Sequence, residues 1–145
     1  MRALLQRVSK AQVKVDDKIV GKINSGWLIF LGVHKLDSEK DVIHLNKKIK
    51  SLRGFSDTQG KMNLSLMDCK KEVLIVSQFT LYADCKKGNR PGFSNSASPD
   101  KAKKLYEQFC ELFEQDLTVV EKGVFAADMK VELTNDGPVT FLIES

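Results

Sequence analysis

The stretch Glu72 to Tyr82, EVLIVSQFTLY, constrains this chain more than any other. Val73-Leu74-Ile75-Val76 is continuously apolar and mostly β-branched, the pattern of a strand buried on both faces. The run turns polar with no turn residue between: Ser77, Gln78 and Thr80 follow, with Phe79 among them. We therefore expect a central strand from Val73 to Tyr82. Buried hydroxyls and amides need partners. Either this polar end bonds neighbouring backbone at a sheet rim, or it floors a polar pocket carried on a rigid element. The next segment, Ala83 to Pro99, sets Lys86, Lys87 and Arg90 among glycines and serines, a cationic lip beside the strand end.

Before this point, Met1 to Val15 contains period-two stretches, with Val13 and Val15 on one face, and Asp16-Asp17-Lys18 reads as a hairpin turn into Ile19 to Ile23. Asn24-Ser25-Gly26 is a second turn, leading into the apolar strand Trp27 to Val33. The period then changes. Ser38 with Asp41 resembles a capping box, and Val42, Leu45, Ile49 and Leu52 follow at helical spacing. Lys47, Lys48 and Lys50 form the other, solvated face. Phe55 to Met62, with its turn at Asp57-Thr58-Gln59-Gly60, reads as a short exposed connection. Beyond the lip, Ser98-Pro99 marks the start of a second helix with the stripe Ala102, Leu105, Tyr106, Phe109, Leu112 and Phe113. Three last strands are expected at Val119-Val120, Met129 to Leu133 and Val139 to Ile143. These elements make one domain, residues 1–145, of mixed α and β structure, with two amphipathic helices packed on sheet.

At 145 residues, 42% apolar and 29% charged, the chain is long enough for a real core and too apolar for disorder. A net charge of +4 mildly favours an anionic partner. Cys69, Cys85 and Cys110 are odd in number and widely spaced, which fits free thiols in a reducing cytosol better than disulfides or a zinc site. No run approaches a membrane span or a signal peptide. Serine-hydrolase chemistry needs a base beside the hydroxyl. His34 and His44 are the only histidines, His34 at a strand end and His44 off the apolar stripe of a helix. There is no nucleophile elbow, Walker loop or HExxH. Asn135-Asp136-Gly137-Pro138-Val139-Thr140, between two expected strands, is an ordinary hairpin turn or a place where carbonyls face a ligand. Glycine permits close approach, and proline makes a cis peptide accessible.

Together, Ser77-Gln78-Phe79-Thr80-Leu81-Tyr82 and Asn135-Asp136-Gly137-Pro138-Val139-Thr140 closely resemble the two signature motifs of the D-aminoacyl-tRNA deacylases, also called D-tyrosyl-tRNA deacylases. The likeness runs the whole length. It includes Met1-Arg2-Ala3, Gln6-Arg7-Val8-Ser9, Gly60-Lys61-Met62-Asn63-Leu64-Ser65, and Gly123-Val124-Phe125 with Ala127-Asp128-Met129. One departure is Ala126, where many members carry glycine.

The resemblance implies a small β-barrel-like fold with two outer helices, forming a cytoplasmic homodimer without cofactor or metal. It implies hydrolysis of the ester between a D-amino acid and the 3′-terminal adenosine of tRNA. Ser77, Gln78, Phe79 and Thr80 would form the catalytic strand end, with the Phe79 and Thr80 N–H groups as oxyanion donors. Phe125 and Met129 would hold the adenine. Gly137-Pro138, cis and reaching into the partner's pocket, would exclude L-amino acids, with Arg7 fixing that loop. Either the Thr80 hydroxyl attacks, or a water activated by the substrate's ribose 2′-hydroxyl does. The lack of a histidine base favours the water. Two other readings stay open: a tRNA-binding module without activity, and an RNA-independent hydrolase of D-amino acid esters.

Overall fold

The computed structural model describes all residues from Met1 to Ser145. β1 (Arg2–Val15) is the spine of a mixed six-stranded sheet. On one side it pairs antiparallel with both β2 (Lys18–Ile23) and β3 (Gly26–Gly32), and on the other with the long β8 (Lys130–Glu144). β3 then pairs in parallel with β6 (Glu72–Ser77), and β6 in parallel with β7 (Val120–Lys122). β2 leans back against β6 and β7, so the sheet curls into a nearly closed barrel. Asp16 and Asp17, both at positive φ (48° and 60°), make the two-residue turn between β1 and β2.

Two apolar clusters lie on opposite faces of the curled sheet. Leu5, Trp27, Ile29, Val73 and Ile75 face the helices, while Val8, Val13, Ile23, Leu28, Leu74 and Val76 fill the barrel interior. Alternate residues of β6 thus enter different cores, which is why its sequence shows no polar face. Each such fully buried aliphatic or aromatic side chain contributes about 1.5–3 kcal/mol relative to exposure.

Over the first cluster lie α1 (Glu39–Ser51), burying Val42, Leu45 and Ile49, and α3 (Pro99–Glu114), burying Leu105, Tyr106, Phe109 and Phe113. Asp41 accepts the Ser38 N–H at 2.8 Å, the capping contact read from the sequence. Ser98 precedes Pro99 as expected, but its side chain makes no capping hydrogen bond. Lys47, Lys48 and His44 are exposed, whereas Lys50 reaches Asp116 at 2.6 Å just past α3. No helix is long and apolar enough to cross a membrane.

Four expectations need correction. The central strand stops at Ser77, and Phe79–Tyr82 is a 3-10 turn. A four-residue helix, α2 (Leu66–Cys69), adds to the two long ones and is held by Ser65 and Asp68. The connection after α1 contains a small hairpin of β4 (Phe55–Ser56) and β5 (Met62–Leu64), with Phe55 buried against Trp27 at 4.8 Å. Residues 129–143 do not form two strands joined by a turn: β8 is continuous. Its register against β1 jumps, because two steps from Gln6 to Val8 stand opposite five from Thr140 to Asn135.

The Asp41 cap generates a pH prediction. Partial burial works to raise its pKa. Hydrogen bonds from the Ser38 N–H, the Ser145 hydroxyl and the Ser38 hydroxyl, with the nearby Met1 ammonium, outweigh this and hold it at about 2. A carboxyl whose pKa falls on folding adds stability above its unfolded value of about 4, and that stability is lost as pH falls through the folded value. Urea midpoints should therefore drop between pH ~4 and ~2, and Asp41→Asn should remove part of that drop. Parallel curves for the two proteins would rule out this role for the cap.

Candidate active site

The end of β6 opens into a cavity of about 520 Å³. Ser77, Gln78 and Phe79 line it together with Phe125, Met129 and Tyr106 of α3. The Gln78 N–H still donates to Leu31 O at 2.8 Å, the last contact with β3, after which the chain lifts into the 3-10 turn. At the start of such a turn the N–H groups have no acceptor within it. Those of Phe79 and Thr80 find none elsewhere in the chain. Two adjacent backbone donors are therefore left free beside the cavity, while the Phe79 carbonyl accepts from the Ser96 hydroxyl at 3.2 Å.

Thr80 is exposed and does not itself line the cavity. Its hydroxyl accepts from Gln78 Nε2 at 2.5 Å, and an amide donor is no base. Neither histidine lines the cavity: His44 is exposed on α1, and His34 stacks on Tyr82 at 5.1 Å while its Nδ1 accepts the Leu36 N–H. The one titratable side chain in the lining is Tyr106. Burial pushes its phenol far above the ordinary range, and its hydroxyl donates to Ile75 O at 2.9 Å. Tyr106 is a wall, fixed to the central strand.

The segment carrying Phe125 and Met129 is shaped by backbone. A Cβ on Gly123 would lie 2.7 Å from Met129 Sδ, so glycine there lets Met129 pack inward. Val124 to Ala127 closes a turn by the Ala127 N–H to Val124 O bond at 3.2 Å. Ala126 takes its third position at φ 62°, where type II-like geometry prefers glycine. Ala126 also lines the cavity, so its methyl adds bulk there as well as backbone strain. Phe125 packs on Tyr106 at 5.8 Å.

Arg7, Gly137 and Pro138 lie outside this cavity. Asn135 staples the excursion in β8: its Oδ1 accepts the Val139 N–H at 2.9 Å, and its Nδ2 donates to Val139 O at 3.2 Å. Arg7 donates from Nε to Asp136 O at 2.8 Å and from its terminal nitrogen to Gly54 O at 2.9 Å. The Gly137–Pro138 bond is cis, and both residues are exposed. A Cβ on Gly137 would fall 2.4 Å from Val139 N, so the loop has no room for a side chain there. The structure thus gathers Ser77, Gln78, Phe79, Phe125 and Met129, sets Thr80 at the edge, and holds Arg7, Gly137 and Pro138 as a separate, braced loop. Ser96, Ala97 and Tyr106 also line the cavity, Tyr106 expected only as part of a helix stripe and the other two given no role by the sequence.

The comparisons with known proteins agree along the whole chain. The family model described as D-Tyr-tRNA(Tyr) deacylase matches residues 4–144. The chain is 58% identical to the D-aminoacyl-tRNA deacylase of Thermosipho melanesiensis, covering 100% of this chain and 97% of that one. It is 54% identical to the one of Clostridioides difficile over the same shares. Among solved structures, one titled c-Myc DNA Unwinding Element Binding Protein superposes with a TM-score of 0.95 at 38% identity, covering 100% of this chain and 99% of that one. A probable eukaryotic D-amino acid tRNA deacylase superposes with a TM-score of 0.84 at 20% identity, covering 99% and 98%, a likeness that bears on the fold alone. With both signature motifs in place and full-length matches on every side, the chain belongs to the D-Tyr-tRNA(Tyr) deacylase family.

Proposed function

We propose that this protein hydrolyses the ester joining a D-amino acid to the 3′-terminal adenosine of tRNA. The observation that carries the reading is the pair of unpartnered N–H groups on Phe79 and Thr80 beside an apolar cavity. Such fixed donors stabilise the negative charge that develops on an ester carbonyl under attack. Phe125 and Met129 offer the flat apolar contact that suits adenine. Water adds to the carbonyl, the tetrahedral oxyanion rests on the two N–H groups, and the carbon–oxygen bond to the ribose breaks. The ribose oxygen takes up a proton, leaving free tRNA and a D-amino acid.

No side chain at this site is a base, and the Thr80 hydroxyl faces only an amide donor. This favours water oriented by the substrate's own 2′-hydroxyl over Thr80 as nucleophile. Thr80→Ala should then retain substantial deacylation, while a terminal 2′-deoxyadenosine should abolish it. The opposite pattern would restore Thr80 as nucleophile.

Chirality is tested by the braced loop. Carbonyls of Gly137 and Pro138 from a second copy crowd the position an L side chain would take, and a D residue leaves only hydrogen there. Glycine has nothing to exclude, so glycyl-tRNA is cleaved too. Three features support action across copies. Gly137 and Pro138 do not line their own chain's cavity, no residue of the fifteen in β8 is buried, and Leu142 is 57% exposed. Hydrolysis of matched D-, L- and glycyl-tRNAs is the deciding assay: D and glycyl should be cleaved and L spared. Equal rates on D and L, or none on D, would overturn the reading. Gly137→Ala, which the loop cannot accommodate, should lose most D-specific hydrolysis or admit L substrates. Light scattering should give a dimer; an active monomer would refute action in trans.

A further inference from the structure

Phe79 faces two ways. It belongs to the cavity, yet its side chain is 56% exposed and meets the ring of Phe93 at 4.9 Å and 58°. Phe93 is itself 38% exposed. The segment that presents it is a built one. Asp84 and Gly92 exchange two backbone hydrogen bonds, at 2.7 and 2.9 Å, and the Asp84 carboxylate takes the Lys86 N–H at 3.0 Å. The Ser96 N–H reaches Phe93 O at 3.0 Å, and the Ser96 hydroxyl ties the segment to Phe79 O.

The same segment carries Lys86, Lys87 and Arg90, all exposed and none in an ion pair. On α3 and β7, by contrast, Lys103, Lys104 and Lys122 are held by Glu107, Glu39 and Glu114. Free cations next to an exposed aromatic pair suit single-stranded nucleic acid, whose phosphates meet the charge and whose bases stack.

We infer that the Phe79–Phe93 pair seats the nucleotide preceding the terminal adenosine, its base stacked on Phe93 and the flanking phosphates beside Lys86, Lys87 and Arg90. The inference rests on the tRNA reading of the cavity. Phe79 is common to cavity and pair, so a strand whose last base fills the cavity brings the neighbouring base to the pair. Stacking reads no hydrogen-bond pattern, which fits a 3′ end shared by all tRNAs.

The test compares intact D-aminoacyl-tRNA with one made abasic at the penultimate position. For the wild-type protein, removing that base should lower kcat/KM about tenfold, the scale of one base–aromatic stack. Phe93→Ala should lose about as much on the intact substrate and lose little more when the base is removed. Lys86→Gln/Lys87→Gln/Arg90→Gln should flatten the fall of kcat/KM with added salt. Wild-type indifference to the missing base, or an equal loss by Phe93→Ala on both substrates, would overturn the subsite. A shift of Phe93→Ala to monomer in light scattering would overturn it as well, by showing that the pair faces a second copy. Failure of the wild-type protein to cleave intact D-aminoacyl-tRNA would instead remove the deacylase reading itself.

Discussion

The hydrogen bond from the Gln78 N–H to Leu31 O, at 2.8 Å, fixes where the β6 ladder ends. Up to that bond β6 pairs with β3 along its whole length and with β7 from Val73 to Ile75, and Val73 to Val76 alternate between the two cores. Beyond it the chain turns at once into a 3-10 helix, and the geometry of that turn frees the Phe79 and Thr80 N–H groups. The catalytic role proposed for the site therefore depends on a backbone transition anchored in a strand whose four central residues are all buried, with rigidity supplied by core packing rather than by local contacts.

The remaining walls follow from the same strand. Tyr106 hangs from Ile75 O, so α3 is registered to β6 by a buried hydrogen bond, and Phe125 packs on the Tyr106 ring. The turn that offers Phe125 carries Ala126 in a left-handed conformation, a cost of about 1–2 kcal/mol that glycine would avoid. The protein tolerates that cost because Val124, Ala127 and the packed Phe125 over-determine the turn. The site thus combines donors fixed by the core with an apolar wall held in mild backbone strain.

Much of this was legible in the chain itself. The alternation of β1, the Asp16-Asp17 turn, the doubly buried run of β6 and both long helices follow from periodicity and local turn or cap chemistry. What was not legible has specific causes. Phe79 to Tyr82 has strand-like composition, and only the end of pairing with β3 converts it to a 3-10 turn. Asn135 to Pro138 carries turn residues, yet the Asn135 side chain substitutes for backbone partners and lets β8 run on past the excursion. The candidate residues Ser77 to Thr80, Gly137 and Pro138 came from the two motifs taken together, not from either alone, and Arg7, Phe125 and Met129 from the wider likeness. Ser96 and Phe93 were missed, although a lone phenylalanine within a basic, glycine- and serine-rich lip was a signal that something aromatic was wanted at the surface.

A site built this way divides labour with its substrate. Backbone N–H donors and an apolar cavity do not ionise, and the single titratable group in the lining is a phenol far outside its working range. On the proposed reading such a site would place the ester, receive the oxyanion and exclude the wrong enantiomer, while its lining offers no side chain to take a proton from water. An aminoacyl ester is an activated ester with a hydroxyl on the adjacent ribose carbon, so what the protein lacks the substrate carries. The same proposal would account for the sparing of L-aminoacyl-tRNA. If the attacking water is organised only when the α-carbon sits close to the donors, a side chain that collides with the carbonyls of Gly137 and Pro138 holds the ester away from them. Rejection then occurs before chemistry, at the binding step, and the discrimination requires no contact with the side chain that is accepted.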